Sequence, residues 1–469
     1  MAPSPSKAPL MLSVSGARGI VGTSMTPVVA VELAAAFGSF LRSGRDPRPA
    51  VCLARDGRPS GEMLGAAVTA GLLAIGCDVI DLGVVMTPTV GVMIDVLGAD
   101  GGMVVTASHN PIEWNGLKCL DHEGLAPPPA QASEIIERYR AKRFSWTAVD
   151  GIGAVRHDDR GVAQHLERVL RLVDVEGIRA RRFTVVLDSV NGAGCVAGRT
   201  LLERLGCEVI HLNGEPTGRF AHTPEPIEAN LGDLCAVVAS RVNTTSPAVV
   251  GFAQDPDADR LAVIDETGRY VGEEYTLVLA AKRVLDRHGP GALAANLSTS
   301  RMIDDLAARY PGARVLRSAV GEANVVAAMK PAKALLGGEG NGGVIVPSVC
   351  WIRDSLSAMA LVLDLLAAES TPLSAIIASL PRYEMIKHKF ELADVGGIEA
   401  IKPALARVEA AFADARVNSS DGVRVDFADG WVHLRPSNTE PIVRLIAEAG
   451  TRERVWELID EVAVAAGLR

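Results

Sequence analysis

Short runs of β-branched residues alternate with longer stretches rich in Ala and Leu along most of this chain. Residues 51–54 have the composition of a buried strand, and residues 61–75 carry apolar side chains at helical spacing. The same order returns at 183–212 and again at 292–316. Strands that alternate with helices of about 10 to 15 residues are typical of βαβ units, so the pattern predicts an α/β fold with mixed or parallel sheets.

The end of the chain has a different pattern. Alternating apolar residues at 422–427 and 431–434 flank an Ala-Asp-Gly turn, which predicts a β-hairpin, and residues 453–466 have the spacing of a helix. We therefore expect three similar mixed αβ domains followed by an α+β domain. The expected domains are residues 1–150, 151–265, 266–378 and 379–469.

Composition excludes several classes of protein. Apolar residues make up 48% of the 469 residues and charged residues 22%, which excludes disorder as the main state. The formal net charge of −9 argues against a nucleic-acid partner, which needs clustered cations. Seven scattered cysteines without a CxxC pair argue against a disulfide framework or a cysteine zinc site and fit the reducing cytoplasm. No segment resembles a signal peptide or a membrane span, so no membrane partner is expected.

The first chemical motif is Thr106-Ala-Ser-His-Asn-Pro111, directly after an apolar strand. A serine at a junction of strand and loop is exposed yet firmly held, which suits a nucleophile, and His109 is adjacent to Ser108. The same residue types are common in ordinary turns, so the dipeptides alone leave both interpretations open.

The second motif is Asp255-Pro-Asp-Ala-Asp-Arg260, between two apolar runs. Three carboxylates at a spacing of two repel one another, and a divalent cation with oxygen ligands, Mg²⁺ or Ca²⁺, would relieve that repulsion. An EF-hand is rejected because Arg260 stands where its loop needs glycine and because the flanks have the pattern of strands. A solvated acidic turn is the alternative.

Three further loops could bind a ligand. Gly337-Gly-Glu-Gly-Asn-Gly-Gly343 offers close backbone approach, with Glu339 and Asn341 as hydrogen-bonding groups for sugar hydroxyls. Arg435-Pro-Ser-Asn-Thr439, with Arg444 nearby, has the composition of a phosphate clamp. Near the start of the chain, Ser15-Gly-Ala-Arg-Gly19 could present Arg18 to an anion. Each of these segments taken alone is also compatible with a polar surface turn.

Together and in this order, the five motifs resemble the α-D-phosphohexomutase superfamily, which includes phosphoglucomutase, phosphomannomutase and phosphoglucosamine mutase. The resemblance covers nearly the whole chain, and it is strongest to the phosphoglucosamine mutase-like subset. It implies three αβ domains and a fourth domain around a central cleft. It also implies an enzyme that interconverts hexose 6-phosphate and hexose 1-phosphate through a phosphoserine and a sugar bisphosphate intermediate.

The resemblance assigns a role to each motif. Ser108 would be the phosphorylated serine, with His109, Lys118 and Arg18 as the other catalytic residues. The phosphate on Ser108 would hold Mg²⁺ together with Asp255, Asp257 and Asp259. Substrate binding would fall to Arg260, Glu339, Asn341, Arg435, Ser437, Asn438, Thr439 and Arg444.

The sugar loop departs from the pattern Gly-Glu-x-Ser-Gly-His of many relatives, because Asn341 stands in place of Ser and Gly343 in place of His. The string Gly338-Glu-Gly-Asn-Gly-Gly343, with Ser318-Ala-Val-Gly-Glu322 and Ser298-Thr-Ser300, resembles the phosphoglucosamine mutase-like subset. This resemblance implies glucosamine phosphate as the first choice of substrate, with glucose or mannose phosphate as the alternative. A sugar-phosphate hydrolase or a non-catalytic sugar-phosphate binder are remote alternatives. The expected partner is a hexose phosphate, and the expected assembly is a monomer or a homodimer.

Overall fold

A computed structural model describes residues 9–14, 16–43, 48–241, 248–392, 394–395, 397–437 and 442–468. The described chain falls into two compact units. The first unit runs to residue 284 and also contains residues 341–375. The second unit contains residues 285–340 and the chain from residue 376 onward.

The described strands and helices follow one another in the alternation that the sequence predicts. The strands are β1 (Met11–Ser13), β2 (Gly16–Ile20), β3 (Ala50–Arg55), β4 (Asp78–Val84), β5 (Gly101–Val105), β6 (Trp114–Leu120), β7 (Val155–His157), β8 (Thr184–Asp188), β9 (Glu208–Leu212), β10 (Val249–Gln254), β11 (Leu261–Ile264), β12 (Ala292–Asn296), β13 (Arg314–Ser318), β14 (Leu336–Glu339), β15 (Gly343–Ile345), β16 (Glu384–Glu391), β17 (Arg416–Asn418), β18 (Val423–Asp426), β19 (Gly430–Pro436) and β20 (Ile442–Ala449). The helices are α1 (Pro27–Arg42), α2 (Gly61–Ile75), α3 (Thr87–Leu97), α4 (Pro129–Arg140), α5 (Gly161–Leu170), α6 (Val175–Arg181), α7 (Gly194–Arg204), α8 (Gly232–Ala239), α9 (Glu273–His288), α10 (Met302–Ala308), α11 (Glu322–Ala332), α12 (Ser355–Glu369), α13 (Leu373–Ser379), α14 (Ile401–Ala411) and α15 (Arg452–Ala466).

The first unit contains two mixed sheets. In the larger sheet the strand order is β1-β2-β6-β5-β3-β4-β7, with β3 parallel to β4 and β5, and with β6 antiparallel to both of its neighbours. The smaller sheet has the order β11-β10-β8-β9. Strands β5, β8 and β10 are buried along their whole length, which explains why their sequences are continuous apolar runs.

The second unit contains a parallel arrangement and an antiparallel sheet. Strand β12 pairs in parallel with β13 and β14. The antiparallel sheet has the order β16-β20-β19-β18-β17 and packs against α14 and α15. The α/β fold with a C-terminal α+β part is thus confirmed. So is the predicted hairpin, in which Val425 of β18 lies opposite Val432 of β19.

One helix begins earlier than its sequence pattern indicates. Apolar spacing predicts a helix from Gly198, whereas α7 begins at Gly194. A Cβ at Gly194 would lie 2.4 Å from Gln254 Oε1, and a Cβ at Gly198 would lie 3.1 Å from the same atom. The two glycines therefore allow α7 to pack closely on β10. A sequence pattern does not distinguish glycines that serve helix packing from glycines in a loop.

Helix α12 is the core helix of the first unit, and its start is fixed by a buried aspartate. Asp354 accepts hydrogen bonds from the backbone N–H groups of Leu356 and Ser357, both at 3.0 Å. Its carboxylate also lies 3.1 Å from Nε2 of His165 on α5. No single helix among the described residues is long and apolar enough to cross a bilayer. The pair α12 and α13 reaches that length only with a bend of 89°.

Replacing the cap of α12 should destabilise the first unit. We expect Asp354→Ala to cost about 3 kcal/mol, because it removes a helix cap and leaves several buried polar groups without a partner. Differential scanning calorimetry measures this as a lower melting midpoint. Asp174→Ala removes the cap of the short helix α6, where the aspartate accepts from Gly177 N–H at the surface, and it should cost only about 1 kcal/mol. Equal losses in the two variants would contradict this account of α12.

Candidate functional site

Ser108 follows the carboxyl end of β5 in a loop that we call the serine loop, residues 106–111. Its backbone has a φ of 50°, which is unusual for a residue other than glycine and is found where a structure imposes a conformation. The Ser108 N–H donates to Thr106 Oγ1 at 2.9 Å, and Ser108 Oγ donates to Asp255 Oδ2 at 2.8 Å. The hydroxyl is thus held in one direction, toward the triple-aspartate motif.

A buried ion pair that the sequence analysis missed holds the serine loop in place. Arg58 pairs with Asp56 at 3.1 Å, and both side chains are fully buried. The Asp56 carboxylate also accepts from Thr106 Oγ1 at 2.6 Å. The Arg58 guanidinium donates to four backbone carbonyls around the loop, those of Ser108, Asn110, Pro111 and Trp114. The available signal was an Asp-Gly-Arg sequence directly after β3, the strand that lies beside β5.

The three aspartates converge in the aspartate loop, residues 255–260, which follows β10. One carboxylate oxygen of each residue lies within 4.8 Å of the others, and the residues are at most 1% exposed. Ala258 between them has a φ of 54°, so the loop turns sharply and brings alternate side chains to one side. Adjacent strands β10 and β11 run antiparallel and fix both ends of the loop.

Cations and a hydroxyl from other elements surround this cluster. Lys118 Nζ on β6 lies 2.6 Å from Asp257 Oδ2 and 3.3 Å from Asp259 Oδ2. Arg353 Nη2, just before α12, donates to Asp259 Oδ2 at 2.7 Å. Thr87 Oγ1 at the start of α3 donates to Asp257 Oδ2 at 2.7 Å. The side-chain hydrogen bonds from these three residues to Asp257 and Asp259 therefore all use Oδ2.

The titration of the cluster is divided between its members. Burial and the charges of Asp259 and Asp257 raise the pKa of Asp255 well above its usual range. Burial also opposes ionisation of Asp259, but Arg353, Lys118 and Arg260 outweigh it and hold the pKa of Asp259 below its usual range. Burial lowers the pKa of Lys118 less than Asp257 and Asp259 raise it, so its pKa is higher than usual. Lys118 thus stays a cation, while Asp255 is the carboxyl group of the three that takes up a proton most readily.

The donor set fits a hard divalent cation. Asp257 Oδ1 and Asp259 Oδ1 are buried and have no hydrogen-bond partner among the described residues. Buried carboxylate oxygens without partners are costly, and a cation placed among them would remove that cost. All-oxygen ligands favour Mg²⁺ or Ca²⁺ over transition metals. The residues that could hold such an ion are Asp255, Asp257 and Asp259, together with an oxygen on Ser108.

His109, Arg18 and Arg260 lie around the same serine. His109 Nδ1 is 3.4 Å from Ser108 Oγ, and its Nε2 is 4.0 Å from Glu225 Oε1. Burial, followed by the charges of Arg260 and Arg18, lowers the pKa of His109 to about 3, so the imidazole is neutral at pH 7. Arg18 on β2 donates to Asn110 Oδ1 at 3.3 Å, and the Arg260 N–H donates to Asp255 Oδ1 at 3.2 Å. The site is therefore rich in cations on the side of Ser108.

Asn341 lies in the first unit, immediately before β15. Its Oδ1 is buried and has no hydrogen-bond partner among the described residues. The next residue, Gly342, has a φ of 85°, and its carbonyl accepts from the Leu261 N–H at 3.0 Å. A Cβ at Gly342 would lie 2.4 Å from the Leu261 carbonyl oxygen, so this close approach requires glycine.

The remaining candidate substrate-binding residues belong to the second unit. Glu339 ends β14, is 5% exposed, and accepts from Asn296 Nδ2 at 2.8 Å and from the Gly321 N–H at 3.1 Å. Because Gly321 is the last residue of the segment Ser318-Ala-Val-Gly321, its hydrogen bond to Glu339 joins that segment to the end of β14. Glu339 is thus held at a fixed position in the parallel part of the unit.

Arg435 and Arg444 lie directly opposite each other on β19 and β20. Side chains of opposed residues share one face of a sheet, so the two guanidinium groups belong to the same side of this hairpin. Asp421 Oδ2 lies 3.2 Å from Arg435 Nε, and the Ser437 N–H donates to the Ile442 carbonyl at 2.9 Å. Asn438 and Thr439, which the sequence places in the same clamp, lie outside the described residues.

Comparison with known proteins agrees with this arrangement. Four phosphoglucomutase/phosphomannomutase family models match the chain: α/β/α domain I at residues 11–146, domain II at 163–268, domain III at 272–383 and the C-terminal domain at 397–465. A probable phosphoglucosamine mutase of Methanopyrus kandleri is 39% identical over 95% of each chain. A phosphoglucomutase/phosphomannomutase of Thermococcus kodakarensis is 38% identical over 95% of this chain and 96% of its own.

A solved structure shows the same fold. The crystal structure of a phosphoglucomutase/phosphomannomutase family protein from Burkholderia thailandensis superposes with a TM-score of 0.83 at 29% sequence identity, over 97% of this chain and 98% of its own. The four family models together, and each of the two relatives alone, span nearly the whole chain. The chain therefore belongs to the phosphoglucomutase/phosphomannomutase family of the α-D-phosphohexomutase superfamily and is a phosphohexomutase, an isomerase.

Proposed function

We propose that this enzyme interconverts hexose 6-phosphate and hexose 1-phosphate by passing a phosphoryl group through Ser108, with glucosamine phosphate as its substrate. The observation that carries the proposal is the 2.8 Å hydrogen bond from Ser108 Oγ to Asp255 in the buried aspartate cluster. A serine held against three carboxylates and several cations is suited to carry a phosphoryl group, because transfer depends mainly on positioning and electrostatics.

In the first half-reaction, the P–O bond to Ser108 Oγ breaks as a P–O bond to a sugar hydroxyl forms. The hydroxyl proton ends on Ser108 Oγ, and the product is a sugar bisphosphate. Lys118 keeps its proton and supplies a fixed positive charge beside the transferring group. His109 is neutral and offers a hydrogen bond to Ser108 Oγ or to the phosphoryl oxygens.

Asp255, Asp257 and Asp259 would hold Mg²⁺ together with the phosphoryl group on Ser108. When bound, the ion would offset negative charge on the transferring phosphoryl group. Arg18 and Arg260 add positive charge beside the serine loop. The same charges help to lower the pKa of His109. These residues thus favour the transfer without a change in their own protonation.

The second unit supplies recognition in this proposal. Glu339 would bind sugar hydroxyls, and Asn341 of the first unit would do the same. Arg435 and Arg444, with Ser437, Asn438 and Thr439, would bind the phosphate that does not react, because paired guanidinium groups suit bidentate phosphate contacts. Reorientation of the bisphosphate would then let its other phosphate return to Ser108. A bisphosphate is also the expected activator, because it can phosphorylate Ser108.

The choice of glucosamine phosphate is supported by the name of the Methanopyrus kandleri relative. Glucose or mannose phosphate is the alternative, supported by the name of the Thermococcus kodakarensis relative at nearly the same identity. The test is a mutase assay with glucosamine 6-phosphate, glucose 1-phosphate and mannose 1-phosphate, offered separately with Mg²⁺ and a trace of sugar bisphosphate. Phosphorus NMR should show isomerisation with a preference for the glucosamine phosphate. Release of inorganic phosphate without isomerisation would instead indicate a hydrolase.

Removing the serine hydroxyl should abolish turnover while leaving the fold intact. Ser108→Ala should lower kcat by more than about 1,000-fold, because no covalent phosphoryl carrier remains, and intact-mass spectra should lack the phosphorylated form. Ser189→Ala is a matched control, since Ser189 is also buried and follows a buried strand, β8. Full activity of Ser108→Ala would refute the role given to Ser108.

Metal binding should depend on the aspartate loop and on pH. Asp257→Asn should weaken Mg²⁺ binding about 10- to 100-fold, as measured by calorimetry without sugar phosphate, because it removes one charged ligand. Asp265→Asn, at a buried carboxylate paired with Arg269, should leave Mg²⁺ affinity unchanged. Because the pKa of Asp255 is raised, its proton competes with the ion, so affinity should fall as the pH is lowered. Mg²⁺ affinity that is independent of pH and of Asp257 would place the ion elsewhere.

A further inference from the structure

Arg353 belongs to none of the motifs that the sequence singles out, yet its side chain reaches the centre of the site. It lies between β15 and α12, and its side chain is only 12% exposed. Its Nη2 donates to Asp259 Oδ2 at 2.7 Å, which is shorter than the 3.3 Å between Lys118 Nζ and the same oxygen. Arg353 is therefore the nearest of the three cations around this carboxylate, since Arg260 Nε lies 3.8 Å from Asp259 Oδ1.

The backbone that follows Arg353 is anchored. The next residue, Asp354, caps α12, and its N–H donates to the Val344 carbonyl at 2.8 Å. Ser355 Oγ donates to the Ala258 carbonyl at 2.7 Å, directly within the aspartate loop. Arg353 thus extends from a segment that itself contacts the aspartate loop. Its side chain reaches Asp259 from this anchored backbone.

Gly343 leaves the space through which the Arg353 side chain passes. A Cβ at Gly343 would lie 2.2 Å from Arg353 Cδ and 2.9 Å from its Cγ. Both distances are below any real carbon–carbon contact, so a side chain at 343 and the observed path of Arg353 exclude each other.

We propose that Arg353 is a positioning residue for Asp259 and that Gly343 is its obligatory partner. Lys118 and Arg353 both engage Oδ2 of Asp259, whereas Oδ1 is buried and has no hydrogen-bond partner among the described residues, with Arg260 Nε 3.8 Å away. A carboxylate held by one oxygen presents the other to a cation, so Arg353 prepares Asp259 as a metal ligand. The inference rests on the proposed function only for its consequence in turnover, because the effect on metal binding can be measured separately.

The first test measures Mg²⁺ affinity by calorimetry in the absence of sugar phosphate. Arg353→Gln should weaken binding about 10- to 100-fold, the usual effect of losing a partner that orients a metal ligand, and Arg353→Lys should restore part of it. Arg283→Gln is the matched control. Arg283 donates to Asp364 of α12 at the same distance of 2.7 Å, and its side chain is 14% exposed, but it lies on α9 rather than at the aspartate loop. Unchanged Mg²⁺ affinity in Arg353→Gln, or an equal loss in Arg283→Gln, would overturn the proposal.

The second test is a double-mutant cycle between the two positions. Gly343→Ala should lower Mg²⁺ affinity in the parent protein, because the new methyl group displaces Arg353. In an Arg353→Ala background the same change should have little further effect, since the side chain that it displaces is gone. Additive effects would overturn the coupling. The two proposals can fail separately. If Arg353→Gln reduces Mg²⁺ affinity but the parent protein isomerises no hexose phosphate, the proposed function is refuted and this inference stands.

Discussion

Three carboxylates that share a small buried volume impose the main electrostatic constraint on the first unit. At an effective dielectric constant of about 20, charges this close repel by roughly 3–4 kcal/mol per pair. Three features of the fold reduce this repulsion. They are Lys118 from β6, Arg353 just before α12 and the raised pKa of Asp255. Because Lys118 and Arg353 engage Oδ2 of these residues, the buried Oδ1 atoms of Asp257 and Asp259 have no hydrogen-bond partner among the described residues, and a divalent cation could use them. These buried oxygens are what would make the cluster a metal site rather than a structural ion pair.

The same electrostatic constraint explains why the backbone is strained in the serine loop and in the aspartate loop. Ser108 and Ala258 both have positive φ values, and each lies in a short loop after a fully buried strand. Such conformations persist only where the surroundings determine them, and here Arg58 binds the carbonyls of one loop while Ser355 binds that of the other. A phosphoryl carrier benefits from this arrangement, since a hydroxyl fixed in advance loses little freedom on reaching the transition state.

The sequence predicted the parts of this structure that local pattern determines. The order of strands and helices, the C-terminal hairpin and the grouping of Asp255, Asp257 and Asp259 all follow from residues close together in the chain. Arg58 and Arg353 were missed because their meaning arises from contacts across about 50 and 94 residues, which no local pattern encodes. The predicted start of α7 was wrong for the same reason, because Gly194 and Gly198 pack against Gln254 on β10. The roles of Asn438 and Thr439 stay predictions from sequence.

The residues proposed for recognition in the second unit have a different kind of support, a series of hydrogen bonds and one ion pair rather than a concentration of charge. Asp421 accepts from the Val320 N–H at 2.9 Å and lies 3.2 Å from Arg435 Nε, so one carboxylate joins the clamp arginine to the segment that ends at Gly321. The N–H of Gly321 in turn donates to Glu339. The group proposed to bind the sugar and the group proposed to bind its distant phosphate are thus joined through three residues, Asp421, Val320 and Gly321. A sugar that displaced Glu339 would therefore also alter the support of Arg435.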